Sequence, residues 1–89
     1  MPERTATIAS SVGLHARPAT LFVNAVNEQK VPVTIRKGDG PAGNAASILT
    51  VMALGAAKGE TVTLAAEGEG AEEALETLVQ LLETDLDAS

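Results

Sequence analysis

The chain has 89 residues, a length expected to form one compact domain, 1–89, on one core. Twelve acidic against six basic side chains give a formal net charge of −6, the reverse of the basic surface that a nucleic-acid binder needs, and without cysteine neither a disulfide framework nor a thiolate zinc site can form. Its apolar runs are short and alanine-rich, far below the roughly 20 residues that span a bilayer, and Met1-Pro2-Glu3-Arg4-Thr5 lacks the basic and apolar regions of a signal peptide. No direct membrane insertion and a cytoplasmic location are the expectation. With Phe22 as the lone aromatic, stacking platforms for bases or sugars are excluded.

Thr5 to Ala9 alternates roughly and stops at Ser10-Ser11-Val12-Gly13, which predicts a first strand running into a loop. From Ala16 onward, Ala19, Phe22, Val23 and Val26 recur at helical spacing, with Pro18 where a first turn tolerates it. The opposite stripe is Arg17, Thr20, Asn24 and Asn27. Val31, Val33 and Ile35 predict a second strand, and Lys37-Gly38-Asp39-Gly40-Pro41 supplies a turn to a short return strand.

Gly43 to Ser47 opens a short helix over Ile48 to Leu54 that Gly55 can close. Val51 and Leu54 are expected to face the core, which leaves Ile48, Leu49 and Met52 on the outer face as an exposed apolar patch. Glu60 to Ala66 alternates as a clean strand. After Gly68-Glu69-Gly70 a last helix keeps Ala71, Leu75, Leu78, Val79 and Leu82 on one face, with Glu72 and Glu73 in the first turn where the dipole favours negative charge. The order βαββαβα, with one covered face implied, argues for a small two-layer sandwich rather than a doubly wound sheet.

His15 is the single histidine and directly precedes the first helix. No carboxylate lies near it in sequence to complete a metal site, and no G-x-S-x-G occurs that would suggest a hydrolase. The start of a helix instead offers unpaired N–H groups and the positive end of the macrodipole, which suit a phosphate. That dipole is expected to lower the pKa of His15 and keep a nucleophilic lone pair free. Phosphorylated, the ring would carry about two negative charges facing those donors. Arg17, two residues on, has a guanidinium fork able to bridge phosphate oxygens. Each residue also has a plainer reading: His15 as a surface or capping residue, Arg17 as a solvated charge, Ser47 as an ordinary N-cap, and Ile48, Leu49 and Met52 as core.

Gly13 to Ala19, G-L-H-A-R-P-A, resembles the active-site signature of the HPr family, the histidine-containing phosphocarriers of the phosphoenolpyruvate-dependent sugar phosphotransferase system. The resemblance continues through N-A-A-S-I-L, Asn44 to Leu49, similar to the family's regulatory-serine segment, and V-M-A-L-G-A-A-K-G-E, Val51 to Glu60, at the family's spacing. It covers essentially the whole chain and looks most like actinobacterial members. It implies an α+β open-faced sandwich: a four-stranded antiparallel sheet in the order 1-4-2-3 with three helices on one face.

The resemblance further implies that His15 accepts a phosphoryl group on Nδ1 from phosphorylated Enzyme I and passes it to sugar-specific IIA domains, with Arg17 stabilising the phosphate. The chain would thus be a covalent carrier rather than an enzyme, with no cofactor and no metal. Ser47 falls at the family's regulatory serine, the target of an ATP-dependent serine kinase. Ile48, Leu49 and Met52, together with Thr20, Asn24 and Asn27, fall on the surface that family members present to partners, and such a face serves best on a monomer. Asn24 and Asn27 stand where many relatives have lysines, which implies weaker electrostatic steering. Ala46 replaces the basic residue often found before the regulatory serine.

Three other classes compete. An acyl carrier is also small and acidic, but its prosthetic serine resembles D-S-L, here Ala46-Ser47-Ile48, and its fold is all-helical. A docking-only HPr relative typically lacks the histidine that this chain keeps. A carrier for a nitrogen-linked or fructose-specific branch has no distinguishing mark within the chain.

Overall fold

A computed structural model describes residues 2–11, 13, 14 and 16–84. The elements run β1 (Glu3–Thr7), α1 (Ala16–Gln29), β2 (Val33–Lys37), β3 (Gly43–Asn44), α2 (Ile48–Ala53), β4 (Thr61–Ala66) and α3 (Ala71–Leu82). They form a four-stranded sheet in the order β1-β4-β2-β3, antiparallel at every pairing. This is the α+β sandwich expected.

The period of two decides which face is covered. Ala6 pairs with Val62, and Leu64 with Ile35; these four, with Val33 and Ala66, are buried and point to the helices. The alternate row places Thr5 against Thr63 and Arg36 on the open face, where Arg36 reaches Glu3 at 3.7 Å. At the ends of the helix-covered face Arg4 reaches Glu72 of α3 at 3.8 Å and Lys37 reaches Glu60 at 3.7 Å. All three pairs are solvent-exposed and contribute at most about 1 kcal/mol each.

The helices cover the sheet with the predicted stripes. Ala19, Phe22, Val23 and Val26 of α1 join Leu75, Leu78 and Leu82 of α3 in one cluster with the strand residues. Burying a side chain the size of Phe22 stabilises the fold by about 1.5–3 kcal/mol. Pro18, third in α1, is fully buried; the N–H it lacks is one that no first-turn residue can satisfy within the helix.

Several boundaries differ from expectation for physical reasons. Strand β1 covers Glu3–Thr7 rather than Thr5–Ala9, because its register against β4 ends at Thr7 and Thr61. Beyond that, Ile8 donates its N–H to Glu60 O at 2.9 Å and Ala9 turns to Leu82 O of α3 at 3.1 Å. Strand β2 begins at Val33, since Pro32 has no N–H to give a ladder. Helix α2 ends at Ala53 with Leu54 as its C-cap, and Gly55 follows at φ +64°, the left-handed residue that a helix end favours.

The outer apolar patch also needs correction. Ile48 and Met52 are half-buried and pack against the core, as does Leu54, while Leu49 alone stays largely open, 78% exposed. A six-residue helix packed between α1 and β3 has too little free surface to expose three large side chains.

Candidate functional site

The loop between β1 and α1 closes on itself and on a neighbour. Gly13 donates its N–H to Ser10 O at 3.0 Å, and Leu14 donates to Ala56 O at 2.8 Å. Both Ser10 and Leu14 are buried, so the loop is anchored by an apolar side chain as well as by backbone bonds. Gly13 has φ +73°, and a Cβ there would lie 2.4 Å from Ala56 O and 2.9 Å from Ala57 Cα. Only glycine permits both the left-handed backbone and that approach. The next element is the 14-residue α1, which opens at Ala16. Val12 and His15 lie outside the described residues.

Of the candidate residues on α1, Arg17, Thr20, Asn24 and Asn27 are all exposed, so the polar stripe is on the surface as predicted. Asn27 donates its side-chain amide to Val23 O at 3.0 Å and shares a cleft with Lys30, Asn44 and Ala46. That cleft brings the lower part of α1 beside the turn that leads into α2.

The turn is built by local polar bonds. Asn44 Oδ1 accepts from Ala46 N–H at 2.9 Å, and Ser47 N–H donates to Asn44 O at 3.1 Å. Ser47 is the N-cap of α2, in an extended conformation, and its Oγ accepts from Thr50 N–H at 3.4 Å. This satisfies one of the donors that a helix start leaves free. Ser47 is half-buried and precedes Ile48 and Leu49. Helices α1 and α2 pack against each other, so the polar stripe and Leu49 belong to neighbouring helices.

Three features were not read from the chain in advance. The contact of Gly13 and Leu14 with Ala56 and Ala57 joins segments 42 to 44 positions apart in sequence, and no local pattern announces it. The turn Ala57–Glu60 is bonded at both ends: Glu60 N–H to Ala57 O at 3.0 Å and Ala57 N–H to Glu60 Oε1 at 2.8 Å. Lys58-Gly59, with Gly59 at φ +87°, was the available signal for such a turn. The third is an apolar groove of about 450 Å³ between the β2–β3 hairpin and α2, lined by Pro41, Ala42, Thr50 and Leu54 among others; it contains none of the candidate residues.

Among the described residues no group of three His, Cys, Asp or Glu side chains could hold a metal ion, and no helix is long and apolar enough to cross a membrane. The site thus consists of a loop pinned ahead of α1 on a one-sided antiparallel sandwich. Comparison with known proteins identifies the class. The family model described as PTS HPr component phosphorylation site matches residues 2–84. The chain is 51% identical over 87 residues to phosphocarrier protein HPr of Streptomyces coelicolor, covering 98% of this chain and 94% of that one, and 43% identical to phosphocarrier protein HPr of Haloferax volcanii, covering 92% and 93%. Among solved structures, HPr-C-His from Thermoanaerobacter tengcongensis superposes with a TM-score of 0.85 at 42% identity, covering 93% of this chain and 92% of that one. A phosphocarrier protein HPr from Bacillus anthracis does so with 0.85 at 38%, covering 91% and 95%. The chain belongs to the HPr phosphocarrier family of the phosphotransferase system.

Proposed function

We propose that the whole chain acts as one carrier domain, in which His15 takes a phosphoryl group from phosphorylated Enzyme I and hands it to IIA domains of sugar permeases in the cytoplasm. The neutral Nδ1 lone pair attacks phosphorus; the new N–P bond forms as the bond to the donor breaks, and its electron pair leaves with the donor. The second transfer is the same exchange with His15 as leaving group. Nothing is oxidised or reduced, so no cofactor is needed.

Arg17 stabilises the phosphate through its guanidinium fork, and the positive end of the α1 dipole favours the added charge. Thr20, Asn24 and Asn27 on α1, with Leu49 and the exposed parts of Ile48 and Met52 on α2, form the surface that partners cover. A methionine there tolerates partners of different shape. Ser47 is a site for a serine kinase, whose phosphate would keep the helix cap while setting negative charge beside Leu49.

The observation that best supports this reading is the Leu14 to Ala56 bond at 2.8 Å. It anchors the residue immediately before His15 in sequence, and phosphoryl transfer depends largely on positioning. Incubation with phosphoenolpyruvate and the cognate Enzyme I is expected to add one phosphate by intact mass, lost in acid and never gained by His15→Ala. Absence of incorporation into the unmodified chain would sink the transfer function.

A further inference from the structure

Three of the six basic side chains are held by a carboxylate, whereas Lys30 and Lys58 pair with none among the described residues. Arg4, Arg36 and Lys37 are each held by a carboxylate, Glu72, Glu3 and Glu60 respectively. Lys58 pairs with no carboxylate among the described residues, although Glu60 is only two positions away. Glu60 Oε1 instead accepts from Ala57 N–H at 2.8 Å and faces the Lys37 ammonium at 3.7 Å.

The same contacts present Lys58 at a defined place. With the Glu60 N–H to Ala57 O bond and Gly59 at φ +87°, Ala57–Glu60 is a turn of the type that takes glycine third and leaves its second residue, Lys58, at the tip. Its base is tied to the end of β1, since Gly59 donates to Ile8 O at 2.8 Å and Ile8 donates to Glu60 O at 2.9 Å. Its leading end touches the other loop: Ala56 O accepts from Leu14, and Ala57 Cα blocks any side chain at position 13. Lys58 is therefore an exposed cation at the tip of the turn, two residues after Ala56, whose carbonyl holds Leu14, the residue before His15 in sequence.

We propose that Lys58 is a specificity-determining cation of the transfer face, attracting the dianionic phosphoryl group of the charged donor as it docks over the loop ahead of α1. This rests on the carrier reading above. On a chain of net charge −6, an approaching phosphoryl dianion meets general repulsion, and a local unpaired cation offsets it where the donor must land. Such a group acts on encounter, so it governs KM and its salt dependence rather than the chemical step.

The test measures transfer from phosphorylated Enzyme I to Lys58→Gln, Lys58→Glu and Lys58→Arg across ionic strengths from about 20 to 300 mM, a range over which screening changes strongly. KM is expected to rise about three-fold in Lys58→Gln and about ten-fold in Lys58→Glu at low salt, with kcat within about two-fold and the salt dependence of KM reduced. Lys58→Arg restores the parent values. Arg36→Gln removes the same charge from the open face of the sheet and is expected to move neither KM nor its salt dependence. Unchanged KM and salt dependence in Lys58→Glu, with the parent chain accepting phosphate normally, overturns this inference and leaves the carrier reading intact. A loss confined to kcat also overturns it. A parent chain that accepts no phosphate overturns the carrier reading and this inference with it.

Discussion

Leu14 donates its backbone N–H to the carbonyl oxygen of Ala56 across 2.8 Å, and the geometry beside that bond requires glycine at position 13. A Cβ on Gly13 would meet the same carbonyl oxygen at 2.4 Å. Two effects add at this residue, a left-handed φ and a backbone clash that no rotamer can relieve. Gly13→Ala is accordingly expected to cost about 2–4 kcal/mol. Gly55, at φ +64° with open space around it, isolates the first effect, and Gly55→Ala should cost only about 1–2 kcal/mol. Urea unfolding of both variants measures the difference; equal losses would show that the Ala56 contact is not tight.

Phe22 and Leu49 give opposite outcomes when truncated. Phe22 is fully buried in the cluster shared by α1, α3 and the sheet, and Phe22→Ala should destabilise by about 3–5 kcal/mol through lost burial and the cavity left behind. Leu49 is 78% exposed, so Leu49→Ala should leave stability within about 0.5 kcal/mol. On the proposed function its cost is expected in partner contact: KM for phosphorylated Enzyme I should rise while the unfolding midpoint stays put. Parent-like KM in Leu49→Ala would remove the residue from the docking surface.

How much of this was legible beforehand depended on whether the signal was local. The stripe Ala19, Phe22, Val23 and Val26 and the alternation in Glu60–Ala66 are repeated patterns, and both elements formed where they pointed, the strand starting one residue later at Thr61. G-L-H-A-R-P-A located the candidate site by resemblance, without explaining why glycine stands at its head. That explanation lies in Ala56 and Ala57, which are distant in sequence and chemically plain. The exposure of Ile48 and Met52 was overestimated for a related reason. Helical spacing assigns residues to faces, but the packing of α1 and β3 around so short a helix decides how much of each face stays open. The end of β1 likewise depends on Leu82, whose carbonyl draws Ala9 away from the sheet.

The structural role of Ser47 can be separated from its proposed regulatory one. Its Oγ caps α2 through a 3.4 Å bond to Thr50 N–H, long enough to put Ser47→Ala at the low end for cap removal, about 0.5–1 kcal/mol. Ser47→Asp keeps an acceptor at the cap and adds a negative charge at the positive end of the helix, so its stability should equal or exceed that of the parent. Beside Leu49 the same charge opposes docking, and transfer from Enzyme I should slow in Ser47→Asp but not in Ser47→Ala. Equal transfer by the two variants would count against regulation at this position. Thermal unfolding and a transfer assay on the same preparations read both effects.

Lys30 is the one residue other than glycine with a positive φ among the described residues, at +60°, directly after α1 ends at Gln29. A helix commonly closes on a left-handed residue, and glycine occupies that place because a Cβ crowds the following carbonyl. Lysine offsets part of this cost by placing a cation near the negative end of the helix dipole, worth about 0.3–1 kcal/mol at an exposed position. The left-handed conformation costs a residue with a Cβ roughly 1–2 kcal/mol, so the strain outweighs the charge. Lys30→Gly should therefore stabilise the chain by about 0.5–1 kcal/mol, less any increase in the freedom of the unfolded chain. Lys30→Gln, which keeps the strain and loses the charge, should destabilise by a few tenths of a kcal/mol. Opposite shifts in the urea midpoint of the two variants are the signature, and a Lys30→Gly midpoint below that of Lys30→Gln would show that the backbone at position 30 is not strained.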